Sequence, residues 1–218
     1  MRFEKRDLLP LALTALSLAA AAYYYSALPD VIATHFDWNG KANGCMDKFW
    51  GLAAVPLIGF FVYLLIRFLP SIATKQDYVH VKELENELYW LAVLVTALMA
   101  LAQFSIIASN LGASFPLDLF NLLLAAVLFY GGWLTRRAKR NYFVGVRVPW
   151  TLADDYVWRK TNDVVGVLLM AFAVAFLAVS LFDHSLALLV LFAGIIAILA
   201  VSVAYSFTLS RSKRRGRA

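Results

Sequence analysis

Between residues 35 and 47 the chain places four side chains able to ligate a metal: His35, Asp37, Cys45 and Asp47. Asp183 and His184 supply two more, far along the chain. A catalytic metal centre needs about three such donors converging and one position left open. No H-E-x-x-H pair and no other tight ligand spacing is present to force that convergence. The competing expectation is that these groups tie a loop to the ends of helices. The sequence therefore predicts no cofactor and no metal, with His35 and His184 the candidates if a metal is bound. Cys45 is the only cysteine, so neither an intramolecular disulfide nor a redox pair can form.

A second stretch, "NYFVGVRVPWTLADDYVWRKTND" from Asn141 to Asp163, has the chemistry of a contact surface. Arg147, Trp150, Trp158, Arg159 and Lys160 combine cations with large rings, and Trp and Arg are the types that binding hot spots favour. The run Arg136, Arg137, Lys139, Arg140 just before it suits anionic lipid headgroups. Gly145 and Pro149 break any continuing helix. Thr151 followed by Asp154 reads as a capping box, which predicts a short helix from Leu152 to about Thr161. Asp155 and Arg159 would pair on that helix, four apart with the acid first. The alternative is an interfacial helix that simply seals a bundle.

Both stretches are set among apolar blocks. Of the 218 residues 62% are hydrophobic and 16% charged, against roughly 45–50% and about 25% in soluble domains. The blocks lie at approximately 8–28, 49–69, 88–108, 117–134, 164–182 and 186–209. Each is long enough for a helix to cross a bilayer, the fifth only just. Helices satisfy their own backbone polar groups, which lipid does not, and the blocks lack the strict alternation of a β-barrel. The expected fold is an all-α, multi-pass cell-membrane protein of six transmembrane helices. The first block follows Arg2, Lys5 and Arg6 as a signal peptide would, but it is long and has no clean cleavage site before Tyr23. It reads as a retained span.

Basic residues set the orientation. Eighteen of the 20 Lys and Arg fall in the N-terminus, the second and fourth connections and the C-terminal tail. Lys41 and Lys48 alone fall on the other side, which predicts cytoplasmic N and C termini. The net charge of +6 is then topology and anionic-lipid contact, with no direct nucleic-acid binding. Tyr23, Tyr24, Tyr25, Trp38 and Trp50 would sit at the outer interface, and Trp133, Trp150 and Trp158 near the inner one. Pro116 suits the first turn of the fourth span, and Pro56 should bend the second. The pairs Ala15/Ala19 and Ala193/Ala197 offer close helix approach. Three spans per half, with long loops on opposite faces, is the pattern of an inverted repeat. The organisation expected is 1–70 as an N-terminal membrane domain with extracytoplasmic loop 29–48, then 71–116 as linker and third span. A second membrane domain over 117–209 and a basic tail at 210–218 complete it.

"NYFVGVRVPWTLADDYVWRKTN" resembles the signature of the SdpI family of bacterial immunity proteins, N-Y/F-x-G-I/V-R-x-P-W-T-L and then V-W-x-K-T. "LPDVIATHFDWNGKANGCMDK" is similar to the signature of a small membrane domain of unknown function that commonly precedes it. The resemblance marks Asn141, Gly145, Arg147, Pro149, Trp150, Thr151, Leu152, Trp158, Lys160 and Thr161 in the inner loop. In the outer loop it marks Pro29, His35, Phe36, Asn39, Gly40 and Lys48. Two departures stand out: Ala33 replaces a proline two before the histidine, and Asn162-Asp163 stands where relatives often have His-Arg.

The resemblance implies a non-enzymatic receptor that protects its host from a secreted, membrane-active toxin peptide. It also implies a soluble transcriptional repressor retained at the membrane on the cytoplasmic side. On that reading His35, Phe36, Asp37, Asn39, Gly40 and Lys48 form the outer contact set. Asn141, Gly145, Arg147, Pro149, Trp150, Thr151, Trp158, Arg159 and Lys160 form the inner one. A small-solute transporter is the alternative, although the spans hold few midplane polar residues, Gln103 clearly and Thr14, Ser17 and Thr96 more weakly, and no intramembrane carboxylate is evident. An outer-surface metal-dependent hydrolase built on His35 and His184 is the third possibility.

Overall fold

The structure is a computed structural model describing residues 4–37, 39–73, 75–114 and 116–216, without the side chains of 72 and 75–78. Arg2, Trp38, Arg217 and the Lys75 side chain lie outside the described residues. Among the described residues six helices are long and apolar enough to cross a membrane: α1 (Leu8–Tyr24, extended by helical turns at either end), α2 (Lys48–Ile72), α4 (Glu85–Asn110), α5 (Leu117–Arg137), α7 (Asp155–Ser180) and α8 (His184–Arg215). A short helix, α3 (Lys75–Glu83), joins α2 to α4, and α6 (Pro149–Leu152) is a single turn before α7. The chain is an all-α, multi-pass membrane protein.

Several helices run past their apolar blocks because a carboxylate starts them early. Asp47, Asp154 and Asp183 are the N-caps of α2, α7 and α8, each accepting backbone N–H bonds from the first turn. This corrects the reading of the inner loop. Thr151 lies inside α6, and Asp154 caps the helix that becomes the fifth span. The short helix of the fourth connection is therefore Pro149–Leu152, and the residues up to Thr161 are the first turns of α7. Asp155 pairs with Arg140 at 2.7 Å, an ion pair that reaches back to the end of α5.

Helices α1, α2 and α4 pack together, α5 and α8 pack on either side of α7, and the contact of α4 with α5 joins the two groups. Alanines 15, 19, 193 and 197 all face outward and bring no helices together. The close approach is made by Gly132 and Gly166 between α5 and α7. A Cβ on Gly132 would stand 2.8 Å from the Gly166 carbonyl oxygen, and the converse distance is 2.5 Å. Thr14, Ser17 and Thr96 point inward and donate their hydroxyls to carbonyls four residues back. Gln103 is fully buried, and neither end of its amide meets a partner among the described residues.

The only strands among the described residues, β1 (Val31–Phe36) and β2 (Ala42–Asp47), pair antiparallel as a hairpin between α1 and α2. Asp37 builds the turn: its Oδ1 accepts the N–H groups of Asn39 and Lys41 at 2.8 and 2.9 Å, and Gly40 takes a φ of 73°. Asn39-Gly40 and Asn43-Gly44 are both turn signals in the sequence, but only the first makes the turn; Asn43-Gly44 is taken into β2, and the register shifts opposite His35. Ile32 is fully buried and Gly51 of α2 lies against it, so a side chain at 51 would displace the hairpin. Both described chain ends lie at the end of the bundle opposite the hairpin.

Candidate functional site

The hairpin does more than connect two spans. It roofs a chamber of about 460 Å³ that opens between the two helix groups. Val55, Ala102, Ile106, Phe120, Leu124, Phe176 and Leu191 give it apolar walls, and Thr34, His35, Asp37, Asn43, Asn121 and His184 give it a polar rim. Apolar walls with a few placed polar groups are the usual composition of a ligand site. His35 Nδ1 lies 3.0 Å from the Thr34 hydroxyl. His184 sits between Asn121, 3.5 Å from Nδ1, and Asp118, 3.6 Å from Nε2. The two histidines thus reach one chamber from opposite ends of the sequence. Among the described residues no three His, Cys, Asp or Glu side chains come together as metal ligands. Asp47 and Asp183 are helix caps, and Cys45 is exposed on β2.

Two more expected outer residues hold the hairpin itself. Lys48 donates to the Leu28 carbonyl at 3.1 Å, pairs with Asp30 and lies over the Tyr25 ring. Asn39 is exposed at the turn, and Phe36 is half-buried at the chamber. Sequence reasoning missed Asn110, at the end of α4. Its amide accepts the Ala33 N–H at 2.9 Å and donates to the Ala33 carbonyl at 2.8 Å, fixing β1 to the bundle as a neighbouring strand would. A proline at 33 has no N–H to give, so the departure from the resembled pattern supplies one half of this bond.

At the opposite end the inner loop folds around buried polar residues. Asn141 is 1% exposed: its Oδ1 accepts from the N–H groups of Phe143 and Val144 at 2.7 and 2.8 Å, and its amide donates to the Lys139 carbonyl. Asn162, also buried, accepts the Val146 N–H at 2.7 Å. Gly145 passes directly over it with a φ of 112°. The Thr151 hydroxyl bonds to both Val146 and Val148, and Trp158 donates its indole N–H to the Ala138 carbonyl at 2.8 Å. Trp158 is therefore a core residue of this end and not an interfacial ring. Arg147, Pro149, Arg159 and Lys160 remain exposed. Trp150 is half-buried, donating to Ser206 Oγ at 2.8 Å and stacking edge-on with Phe207.

Lys213 brings the end of α8 onto the same loop, binding both oxygens of the Asp154 carboxylate at 2.7 and 2.5 Å. Lys213, together with the backbone N–H of Val157, holds the Asp154 carboxyl below its ordinary range. A lowered folded-state pKa gives stability that is full above the unfolded pKa, about 3.9, and is lost as pH falls through the folded value. Asn also caps helices well, so Asp154→Asn isolates the lysine pair. The unfolding midpoint of wild type should exceed that of Asp154→Asn at pH 6, and the gap should narrow as pH falls below about 4. A gap that persists unchanged at pH 3 would refute the pair as its source.

A third cluster went unread in the sequence. Asp7, fully buried, accepts a hydrogen bond from Arg67 Nε at 2.9 Å and from the Glu4 N–H at 2.7 Å. Arg67 also reaches Glu4 and Glu85, and Arg6 binds Glu85. The Tyr89 hydroxyl donates to the Arg6 carbonyl at 2.9 Å. The sequence reading counted Arg67 as a loop cation and found no intramembrane carboxylate. Asp7 is the residue before α1, at the end of the bundle that carries the chain termini, and it is buried against Arg67 of α2.

The six spans, the roofed chamber and the polar knot at the other end define a helical multi-pass cell-membrane protein in two three-helix groups. Residues 137–206 match the model of the SdpI/YfhL protein family, and residues 12–60 match a domain of unknown function, DUF1648. The first match covers the end of α5, the knot, α7 and most of α8; the second covers most of α1, the hairpin and half of α2. The chain is SdpI-like, with a DUF1648 segment preceding the SdpI segment. It is similar to the Immunity protein SdpI of Bacillus subtilis (strain 168), at 23% identity over 205 residues, 93% of this chain and 95% of that relative. No solved structure matches it.

Proposed function

We propose that this protein is a membrane immunity protein that binds a membrane-active toxin peptide in the chamber under the hairpin, without catalysing a reaction. The observation that carries the reading is the similarity to an immunity protein over 93% of the chain, spanning both the hairpin and the knot. The chamber supports it on chemical grounds. Its apolar walls suit the greasy side chains of a peptide that enters membranes, and its rim supplies hydrogen-bonding groups for a backbone. The hairpin end carries Asp30, Asp37, Asp47, Asp118 and Asp183 against Lys41 and Lys48, a net charge of −3 with the histidines neutral. That favours a cationic peptide. By the distribution of Lys and Arg, this end faces out of the cell.

In this reading occupation of the chamber is relayed through α7 and α8, which run from Phe176 and His184 in its wall to Trp158 and Ser206 in the knot. A ligand shifts the far end only if it binds one of two arrangements better. Arg147, Pro149, Trp150, Arg159 and Lys160 are the face then offered to a cytoplasmic partner such as a soluble repressor. The test is survival of toxin-sensitive cells expressing wild type, His35→Ala, Asn121→Ala or Arg147→Ala at equal membrane levels. Wild type should protect. The two chamber variants should lose about tenfold in tolerated peptide, as expected for one rim contact of about 1.4 kcal/mol. Arg147→Ala should keep protection and lose capture of the soluble partner. Full protection by both chamber variants would remove the chamber from the reading.

A further inference from the structure

The basic run at the end of α5 does not spread over the surface. The chain turns after Arg137, and the first turns of α7 come back across it. Arg136, Arg137, Lys139, Arg140, Arg159 and His80 consequently line one cavity of about 380 Å³. Trp158 and Ala138, joined by the indole hydrogen bond, form its apolar wall, and Asp155 is the one carboxylate in the lining. Five permanent cations thus line the cavity beside that carboxylate, and three more carboxylates, Asp163, Glu87 and Glu83, pair with them from outside the lining.

Their existing partners do not use up these cations. Arg136 meets Asp163 at 2.7 Å, Arg137 meets Glu87 at 3.3 Å, Lys139 meets Glu83 at 2.7 Å and Arg140 meets Asp155 at 2.7 Å. Three of those carboxylates are about half exposed or more, and such pairs hold by about 1 kcal/mol at most. A guanidinium carries five N–H donors, so each arginine keeps several to offer. Arg159 is exposed and has neither a hydrogen-bond nor an ion-pair partner among the described residues.

We propose that this cavity is a binding site for a phosphate-bearing anion. Planar guanidinium forks match phosphate oxygens two at a time, and a wall lined by several of them selects phosphate over a single carboxylate. The site lies where α5 ends and α7 begins, level with Trp133, whose ring stacks under Arg137 at 4.8 Å. A phospholipid headgroup reaches it from the membrane and a soluble phosphate compound from the water; the chemistry is the same. Its lining comes from α3, the end of α5 and α7, so an occupant ties the α3 connection to the knot. None of this depends on the immunity reading, and peptide protection is scored separately.

The test uses the full chain in nanodiscs of neutral phosphatidylcholine. One arm adds phosphatidylglycerol or cardiolipin to the disc, read by lipid retained in native mass spectrometry. The other titrates inorganic pyrophosphate against the unfolding midpoint. Wild type should bind saturably in at least one arm, and Arg159→Gln should weaken that binding about tenfold. Arg211→Gln removes the same charge outside the cavity and should leave it unchanged. Binding in the lipid arm alone identifies a headgroup; binding of pyrophosphate identifies a soluble phosphate compound. Saturable binding in neither arm overturns the proposal. So does an equal loss in Arg159→Gln and Arg211→Gln, because the effect is then bulk charge.

Discussion

Gly145→Ala should destabilise the protein by about 3 kcal/mol, the larger part of it from one clash. The backbone at 145 has a φ of 112°, which an L side chain rarely adopts, and strain of that kind costs about 1–3 kcal/mol. The new Cβ would also stand 2.5 Å from Asn162 Oδ1 and 3.1 Å from the Trp158 ring. Asn162 then has to release the Val146 N–H, leaving a buried donor unsatisfied at about 1–3 kcal/mol. Gly112→Ala is the matched control, because its φ is 95° but nothing lies within 4 Å of the added carbon. Thermal unfolding of both variants in the same detergent separates strain from clash. Equal losses would mean that the packing of Gly145 on Asn162 contributes nothing.

The second large effect is at the other buried cluster. Arg67→Met should cost about 3–5 kcal/mol, because it leaves the Asp7 carboxylate buried without its cation. The double variant Asp7→Leu/Arg67→Met should recover most of that loss. Removing both members of a buried pair avoids the stranded charge, and apolar replacements of similar volume are often neutral. The measurement is a double-mutant cycle on the unfolding midpoint, with the amount of folded protein in the membrane as a second readout. Additive losses in the double variant would show that Asp7 and Arg67 act separately. The cluster joins α1, α2 and α4 at the end that carries the chain termini, well away from the chamber. Its expected effect is on assembly of that helix group, and it is not part of the chamber.

These two clusters change how the inner signature is understood. Asn141, Gly145, Thr151 and Trp158 are turned inward, and their donors and acceptors are spent on the loop's own backbone. What they hold in place is a rim on which Arg147, Arg159 and Lys160 face water. A substitution among the first group tests folding, and one among the second tests binding. Asn162 belongs with the first group: its amide closes the loop over Gly145. Its neighbour Asp163 meets Arg136 at 2.7 Å, so the second departure moderates the cation cluster.

The sequence alone determined the solvent of this protein and the number of its spans. Runs of apolar residues longer than a lipid core admit one solution, because backbone polar groups in lipid must be satisfied within the same segment. The turn at Asn39-Gly40 was legible too, since Asn-Gly pairs fix a turn by local geometry. Local rules failed where two turn or cap signals competed. Asn43-Gly44 lost its turn to strand pairing with β1, and Thr151 lost the cap to Asp154, whose carboxylate starts a longer helix and receives Lys213. Of the contacts between elements distant along the chain, the sequence placed His35 and His184 on one face and was silent on the rest. The chamber joins His35 to His184, the clasp joins Asp7 to Arg67, and the basic cavity joins His80 to Arg159. A side chain's partner, and so whether it is a buried scaffold or an exposed contact, is decided when helices dock. That docking is set by shape at small contacts such as Gly132 on Gly166, which no hydrophobic period records.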